Sequence, residues 1–257
     1  MSLRLYIHIL LIFILSVQST NAQSYRPKPE NFFGLQFKPL IPFGLVGDKP
    51  FTLSSGNFES IISPVFGYTY GGVVRIGLTE LLAIETGLNY TRRNFRADHS
   101  VADSNVVGED YLGFVSFDIP VNFLVYIKLG KNMYMNVAGG ASANYNASNV
   151  RSFINPGGGK DLFIFEGKRL AFFDFNANAD IGFEYRTEKS GTFYLGMSAR
   201  IPFTPNFQVA AAYQYDTHKL VDVGFVDGAT FALNLKYFFF NNRIKKGPQF
   251  EGGPIEQ

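Results

Sequence analysis

Residues 172–186 read FFDFNANADIGFEYR, and their alternation constrains the fold more than any other feature of the chain. Phe173, Phe175, Ala177, Ala179, Ile181, Phe183 and Tyr185 take the odd places, while Asp174, Asn176, Asn178, Asp180, Glu184 and Arg186 take even ones. Successive side chains of a strand point to opposite sides, so the segment is a strand with one apolar and one polar face. The spaced Asp and Asn residues also mimic the first ligands of a calcium loop. That reading fails, because the sixth position holds Ala179 instead of glycine and the twelfth holds Tyr185 instead of a bidentate Glu. No metal site is expected.

The same alternation runs through FFGLQFKPLIPF, VFGYTYGGVVRIGL, LLAIETGLNYTRR, VSFDIPVNFLVYIKL, MYMNVAGGASANYN, TFYLGMSARIPF and TFALNLKYFF, which brings the strand count to eight. No 3.6-residue period competes with it. Tight turns join alternate pairs at GLTEL, LGKNM and TEKSGT. The other connections, roughly residues 44–62, 98–110, 147–168 and 205–227, are rich in Gly, Asn, Asp, Ser and Pro and read as long loops. Short turns at one end and long loops at the other describe an all-β, eight-stranded antiparallel up-and-down transmembrane β-barrel over residues 32–240.

A soluble eight-stranded carrier is the competing architecture, and the polarity of the faces separates the two. Several strands carry a charge in mid-strand, which is tolerable inside a barrel and costs kilocalories against lipid. The inward set is Lys38, Arg75, Glu85, Arg93, Asp118, Lys128, Asp174, Asn176, Asn178, Asp180, Glu184, Arg186, Arg200 and Lys236. Eight strands enclose only enough room for their own side chains, so this set is expected to fill the lumen with ion pairs and leave no pore. The opposite face would be an aggregation surface in water and is what lipid requires. With no Trp in the chain, Tyr68, Tyr90, Tyr111, Tyr145, Tyr185 and Tyr237 are the expected interfacial girdle.

The first 22 residues have the three parts of a secretory signal peptide: Arg4, an apolar run from Leu5 to Leu15, and Thr20-Asn21-Ala22 before the cut. No later run is long and apolar enough for a membrane helix. Zero cysteines exclude disulfides, thiolate metal sites and a cysteine nucleophile. Removing Arg4 from the 23 Lys+Arg leaves 22 against 21 Asp+Glu, which gives no reason to expect nucleic acid. Residues 23–31 then form a periplasmic N-terminal segment and 241–257 a periplasmic tail. An even strand number puts both ends on the short-turn side, in the periplasm.

In its signal peptide, its eight-strand layout and the strand FDIPVNFLVYIKL, the chain resembles the small outer-membrane β-barrel family of Bacteroidota that includes PorT-like proteins of type IX secretion. The resemblance covers roughly residues 31–240. It implies an outer-membrane location, contact with outer-membrane lipids including lipopolysaccharide, one or more envelope protein partners, and no cofactor. Such barrels commonly end on the aromatic that closes the last strand, here near Phe240. This chain continues with NNRIKKGPQFEGGPIEQ, whose Arg243, Lys245 and Lys246 are candidate partner contacts.

Catalytic candidates are sparse. NPGGGKD lacks the Ser or Thr after Lys160 and the strand-then-helix setting of a phosphate loop. Asp98, His99 and Ser100 are adjacent and cannot face one another, and His218 lies near Asp216; both histidines read as loop residues. NYT at 89–91 and NAS at 146–148 match the glycosylation sequon but fall on strand ends. The expectation is a non-enzymatic structural or accessory subunit of an envelope complex, handling protein secretion or outer-membrane protein assembly. A lipid A-modifying enzyme built on His99 or His218, and a surface adhesin or receptor acting through the long loops, are the alternatives.

Overall fold

A computed structural model describes residues 31–42, 48–187 and 189–240. Its strands are β1 (Phe32–Ile41), β2 (Phe51–Ser55), β3 (Phe58–Gly77), β4 (Leu82–Val101), β5 (Val106–Lys128), β6 (Met133–Asn146), β7 (Val150–Ile154), β8 (Asp161–Arg169), β9 (Phe173–Arg186), β10 (Thr192–Pro202), β11 (Phe207–Tyr215), β12 (His218–Val226) and β13 (Thr230–Phe238). Eight of them close an antiparallel ring in the order β1-β3-β4-β5-β6-β9-β10-β13, with β13 pairing back onto β1.

The register fixes the shape of the ring. Starting at Phe183 on β9, directly paired residues run through Leu195, Leu235, Phe37, Tyr70, Tyr90, Phe117 and Tyr145 and return to β9 at Phe173. The return point lies ten residues from the start. That stagger over eight strands tilts them by about 40° to the barrel axis. Every residue on this spiral faces outward, and its upper half is an aromatic girdle: Tyr70 and Tyr90 rings lie 5.0 Å apart, and Tyr145 and Phe173 rings 5.3 Å.

Within the described residues, the four segments expected as long loops are largely strands. β2 and the start of β3, the end of β4 and the start of β5, the pair β7–β8, and the pair β11–β12 are hairpins that continue the ring strands upward. They form a head of two sheets. One is β2 with the outer halves of β3, β4 and β5; the other has the order β12-β11-β8-β7. Between them lies an apolar core that includes Phe58, Ile62, Phe95, Phe114, Phe163, Phe165, Phe207 and Val209. The Phe114 and Phe207 rings meet at 4.2 Å. Each such side chain contributes on the order of 2 kcal/mol of burial, so the head is a packed unit.

Along one strand, then, the polarity of the two faces reverses while the register does not. On β4 the inward residues are Glu85, Asn89, Thr91 and Arg93 in the ring, followed by Phe95, Ala97, His99 and Val101 in the head. The outward residues are Leu82, Leu88 and Tyr90, followed by Arg92, Asn94, Arg96, Asp98 and Ser100. β5 inverts in the same place, from Asp118 and Ser116 inward to Phe114 and Leu112. The lower storey is built for an apolar exterior and the upper for an aqueous one.

Candidate functional site: a sealed lumen under a packed head

The lumen is filled from the short-turn end upward. Its floor is aromatic, with Phe32 against Phe238 and Tyr126 against Tyr134, and the half-buried Arg186 guanidinium lies 4.2 Å from the Tyr134 ring centroid. Above the floor sits Arg75, which is 0 % exposed. It donates to Glu85 at 2.7 and 3.1 Å, to the Tyr126 hydroxyl at 3.0 Å and to Glu184, and it stacks on Phe238 at 4.3 Å. Lys236 reaches the other Glu85 oxygen at 2.5 Å, and Arg186 donates to Glu184 at 2.7 Å. Four partners around one guanidinium satisfy a buried charge that would otherwise be prohibitively costly.

The next layer centres on Asp180, which accepts from Tyr194 and Asn234. Gly182 and Gly196, paired across β9 and β10, leave the slot for the Tyr194 hydroxyl, since a Cβ on either would collide with it. Above this, Arg200 meets Asp118 at 3.1 Å, and Asn89 donates to Asp118 at 3.0 Å and accepts from Gln36. Lys38 shares a cavity of about 50 Å³ with Asp118, Asp180 and Arg200, room for a few waters. Asp174 accepts from Asn144 and Asn146, while Asn176 donates to Ser142 and Asn178 to Asn122.

Two of the inward set behave otherwise than expected. Lys128 is exposed at the short-turn end, because it is the last residue of β5, where the alternation has run out. Arg93 is buried at the ceiling of the lumen, yet its Nε and both terminal nitrogens have no hydrogen-bond partner. The inventory of charges on polar faces names Arg75, Glu85, Asp118, Asp180, Glu184 and Lys236, all buried in the ring. It passed over Tyr126, Tyr194, Asn89 and Asn234, which lie at inward positions of the same alternation and complete the network.

The histidine candidates part company. His99 is not in a loop but on β4, inside the head, 2 % exposed and with neither ring nitrogen hydrogen-bonded. It lies between Phe163 at 5.0 Å and Phe58 at 6.0 Å. Asp98 and Ser100 are on the opposite face of the strand, where Asp98 pairs with Arg96. Directly across the ladders from His99 are Ser60 and Gly108, and Asp110, opposite Ala97 on the same face, accepts from Ser152 at 2.8 Å. His218 opens β12 and is exposed, and Asp216 pairs with Lys160. Neither histidine is part of a hydrogen-bonded relay among the described residues. These placements differ from the expectation because both supposed loops are hairpins. The segments 1–22 and 23–30, and the tail with Arg243, Lys245 and Lys246, lie outside the described residues.

The sequence matches the outer membrane protein beta-barrel domain family over residues 21–243. The chain belongs to that family. Its apolar belt, from Ile127 up to Phe117 on β5 about 25 Å tall, is therefore the face of an outer-membrane β-barrel. A comparison with curated proteins finds no match. Among solved structures, this outer-membrane barrel is similar to the outer membrane protein OprG from Pseudomonas aeruginosa, at 12 % identity and a TM-score of 0.45, over 86 % of this chain and 100 % of that one. It is also similar to the COG4313 outer membrane channel from Pseudomonas putida F1, at 9 % identity and a TM-score of 0.23, over 86 % of this chain and 99 % of that one.

Proposed function

We propose that this outer-membrane barrel is a non-enzymatic structural subunit of an envelope complex, and that its working part is the head. The observation that carries the reading is the fully coordinated Arg75: the lumen beneath the head is spent on internal ion pairs and leaves no path for a solute. In this reading the short turns and both termini face the periplasm and the head stands outside the cell among lipopolysaccharide. The sealed position of His99 argues against a lipid A-modifying enzyme built on it.

The head offers two unlike faces. One directly paired row across its second sheet is Phe153, Ile164, Ala212 and Val221, with Val223 and Phe225 farther along β12. The outer face of β3, β4 and β5 instead carries Glu59, Arg96, Asp98 and Glu109. On the second sheet Phe153, Val221, Val223 and Phe225 are exposed beside the charged Arg151, Glu166 and Lys168, and such an apolar strip above the lipid belt is suited to a protein partner. Extended by the resemblance of FDIPVNFLVYIKL to PorT-like proteins, the reading makes that partner a component of a protein-secretion or outer-membrane assembly machine, with Arg243, Lys245 and Lys246 as a second contact in the periplasm. A photo-crosslinking residue at Val223, and separately at Asp98, tests it in native membranes. A discrete protein adduct at Val223 and none at Asp98 is expected. Absence of an adduct at Val223 contradicts a working head.

A further inference from the structure

Arg93 is 5 % exposed, and none of its three guanidinium nitrogens has a hydrogen-bond partner. Arg75, Arg200 and Lys236 each hold a carboxylate, but no carboxylate hydrogen-bonds Arg93, although one Asp174 oxygen is buried without a partner. Asp118 serves Arg200, and one oxygen of Asp174 serves Asn144 and Asn146. Asp48 accepts from the Gly228 amide at 2.9 Å. What Arg93 does touch is the Phe207 ring, at 5.1 Å, and the Gly228 backbone, held at φ +83° so closely that a Cβ there would strike the guanidinium. A buried guanidinium with five free N–H donors needs a counter-charge or ordered water.

Among the described residues, the ring wall beside it is incomplete. β1 makes its last pair with β3 at Leu40–Gly67 and ends at Ile41, whereas β3 continues into the head past an irregularity between Val65 and Tyr68. Among the described residues, this step leaves a pocket of about 40 Å³ lined by Arg93, Asp48, Ile41, Val65 and Phe231. Ile41 is 43 % exposed on the outer wall, so the pocket joins the outer surface to the side of the buried Arg93. Its height is that of Phe66 and Tyr70, at the top of the apolar belt, where lipid headgroups lie.

We propose that Arg93 is the floor of a binding site for a phosphate group that enters through this gap in the wall. The guanidinium fork offers two parallel N–H donors to phosphate oxygens, and a desolvated site strengthens such charge-assisted bonds. Asp48, outside the spanning strands, has its carboxyl pKa raised by burial against the opposing pull of Arg93, a direction that lessens its repulsion of an oxyanion. The same group can come from free phosphate or from the headgroup of an acidic lipid.

The test uses the full chain, wild type, Arg93→Lys and Arg93→Met, each checked for folding by heat-modifiable gel mobility. Inorganic phosphate is titrated by calorimetry into barrel in zwitterionic detergent. Phosphatidylglycerol retention is measured by native mass spectrometry after passage through phosphatidylcholine nanodiscs with and without it. Wild type is expected to bind one equivalent of at least one probe, Arg93→Met to bind it at least tenfold more weakly, and Arg93→Lys, which keeps the charge and loses the fork, at least threefold more weakly. Binding of phosphate alone identifies a free anion; retention of the lipid without phosphate binding identifies a headgroup. If folded wild type binds neither probe, or Arg93→Met binds as wild type does, the site does not exist. Should Arg93→Met fail to fold, undiminished affinity in Arg93→Lys overturns the proposal.

Discussion

Tyr90 and Arg92 lie two residues apart on the same outward face of β4, and between them the solvent changes. Tyr90 belongs to the aromatic girdle that tops the apolar belt. Arg92 donates to Asn94, and beyond them the outward face is polar to the end of the strand. Inside, Thr91 and Arg93 give way to Phe95 over the same interval. One uninterrupted ladder therefore serves two environments.

That inversion predicts opposite responses to one substitution on one strand. Phe123, 61 % exposed in mid-belt on β5, should not tolerate arginine: Phe123→Arg costs about 2–4 kcal/mol against lipid and lowers the folded fraction. Tyr111→Arg, on the same face of β5 but above the inversion, should change stability by less than about 0.5 kcal/mol. Heat-modifiable gel mobility in native membranes reads both. Equal tolerance at the two sites would mean that the belt does not meet lipid.

Arg75 holds Glu85 and Glu184 together, so removing it leaves one oxygen of each buried carboxylate without its ion pair, with only Lys236 and Arg186 against the other oxygens. Arg75→Met should destabilise the barrel by about 3–5 kcal/mol, measured as a lower urea midpoint in lipid vesicles. Asn178→Asp, which enters an existing polar layer next to Asn122, should shift the midpoint far less.

His99→Phe should be neutral or stabilising by about 1–2 kcal/mol. It removes two unpaired nitrogens from among Phe58, Phe163 and Phe165 and keeps a flat ring in their place. Lipid A from cells making the variant should have an unchanged mass spectrum. A lost lipid A species would revive the enzyme reading.

The head should come apart without the ring. A Cβ at Gly167 on β8 would run into the Phe114 ring, so Gly167→Val overpacks the head core by about 1–3 kcal/mol. Limited proteolysis should then cut within residues 147–168 while the ring stays protected. Uniform protection of the variant would mean that the two sheets of the head do not pack as described.

The ring was legible in the sequence because lipid outside and ion pairs inside give each strand strong contrast, as in Phe175 against Asp174 and Asn176. The head was not, because its contrast is weak. In β11 the inward Val209 and Ala211 alternate with Ala210 and Ala212, and in β8 the run Phe163-Ile164-Phe165 shows no period at all. Gly, Asn and Asp at the hairpin turns then made whole hairpins look like loops. The charges of the lumen could be assigned to the inside but not paired: nothing local indicates that Arg75 reaches Glu184, 109 residues away, or that Arg93 reaches no carboxylate.

The closed lumen is the claim on which the rest depends, and planar-bilayer recording of the purified full-length barrel tests it most directly. With Arg75 holding Glu85, Glu184 and Tyr126 above an aromatic floor, and the head core packed overhead, the protein should insert without stable conductance steps. Reproducible single-channel steps that change with Arg75→Met or Arg200→Met would show an open path through the lumen and contradict the account.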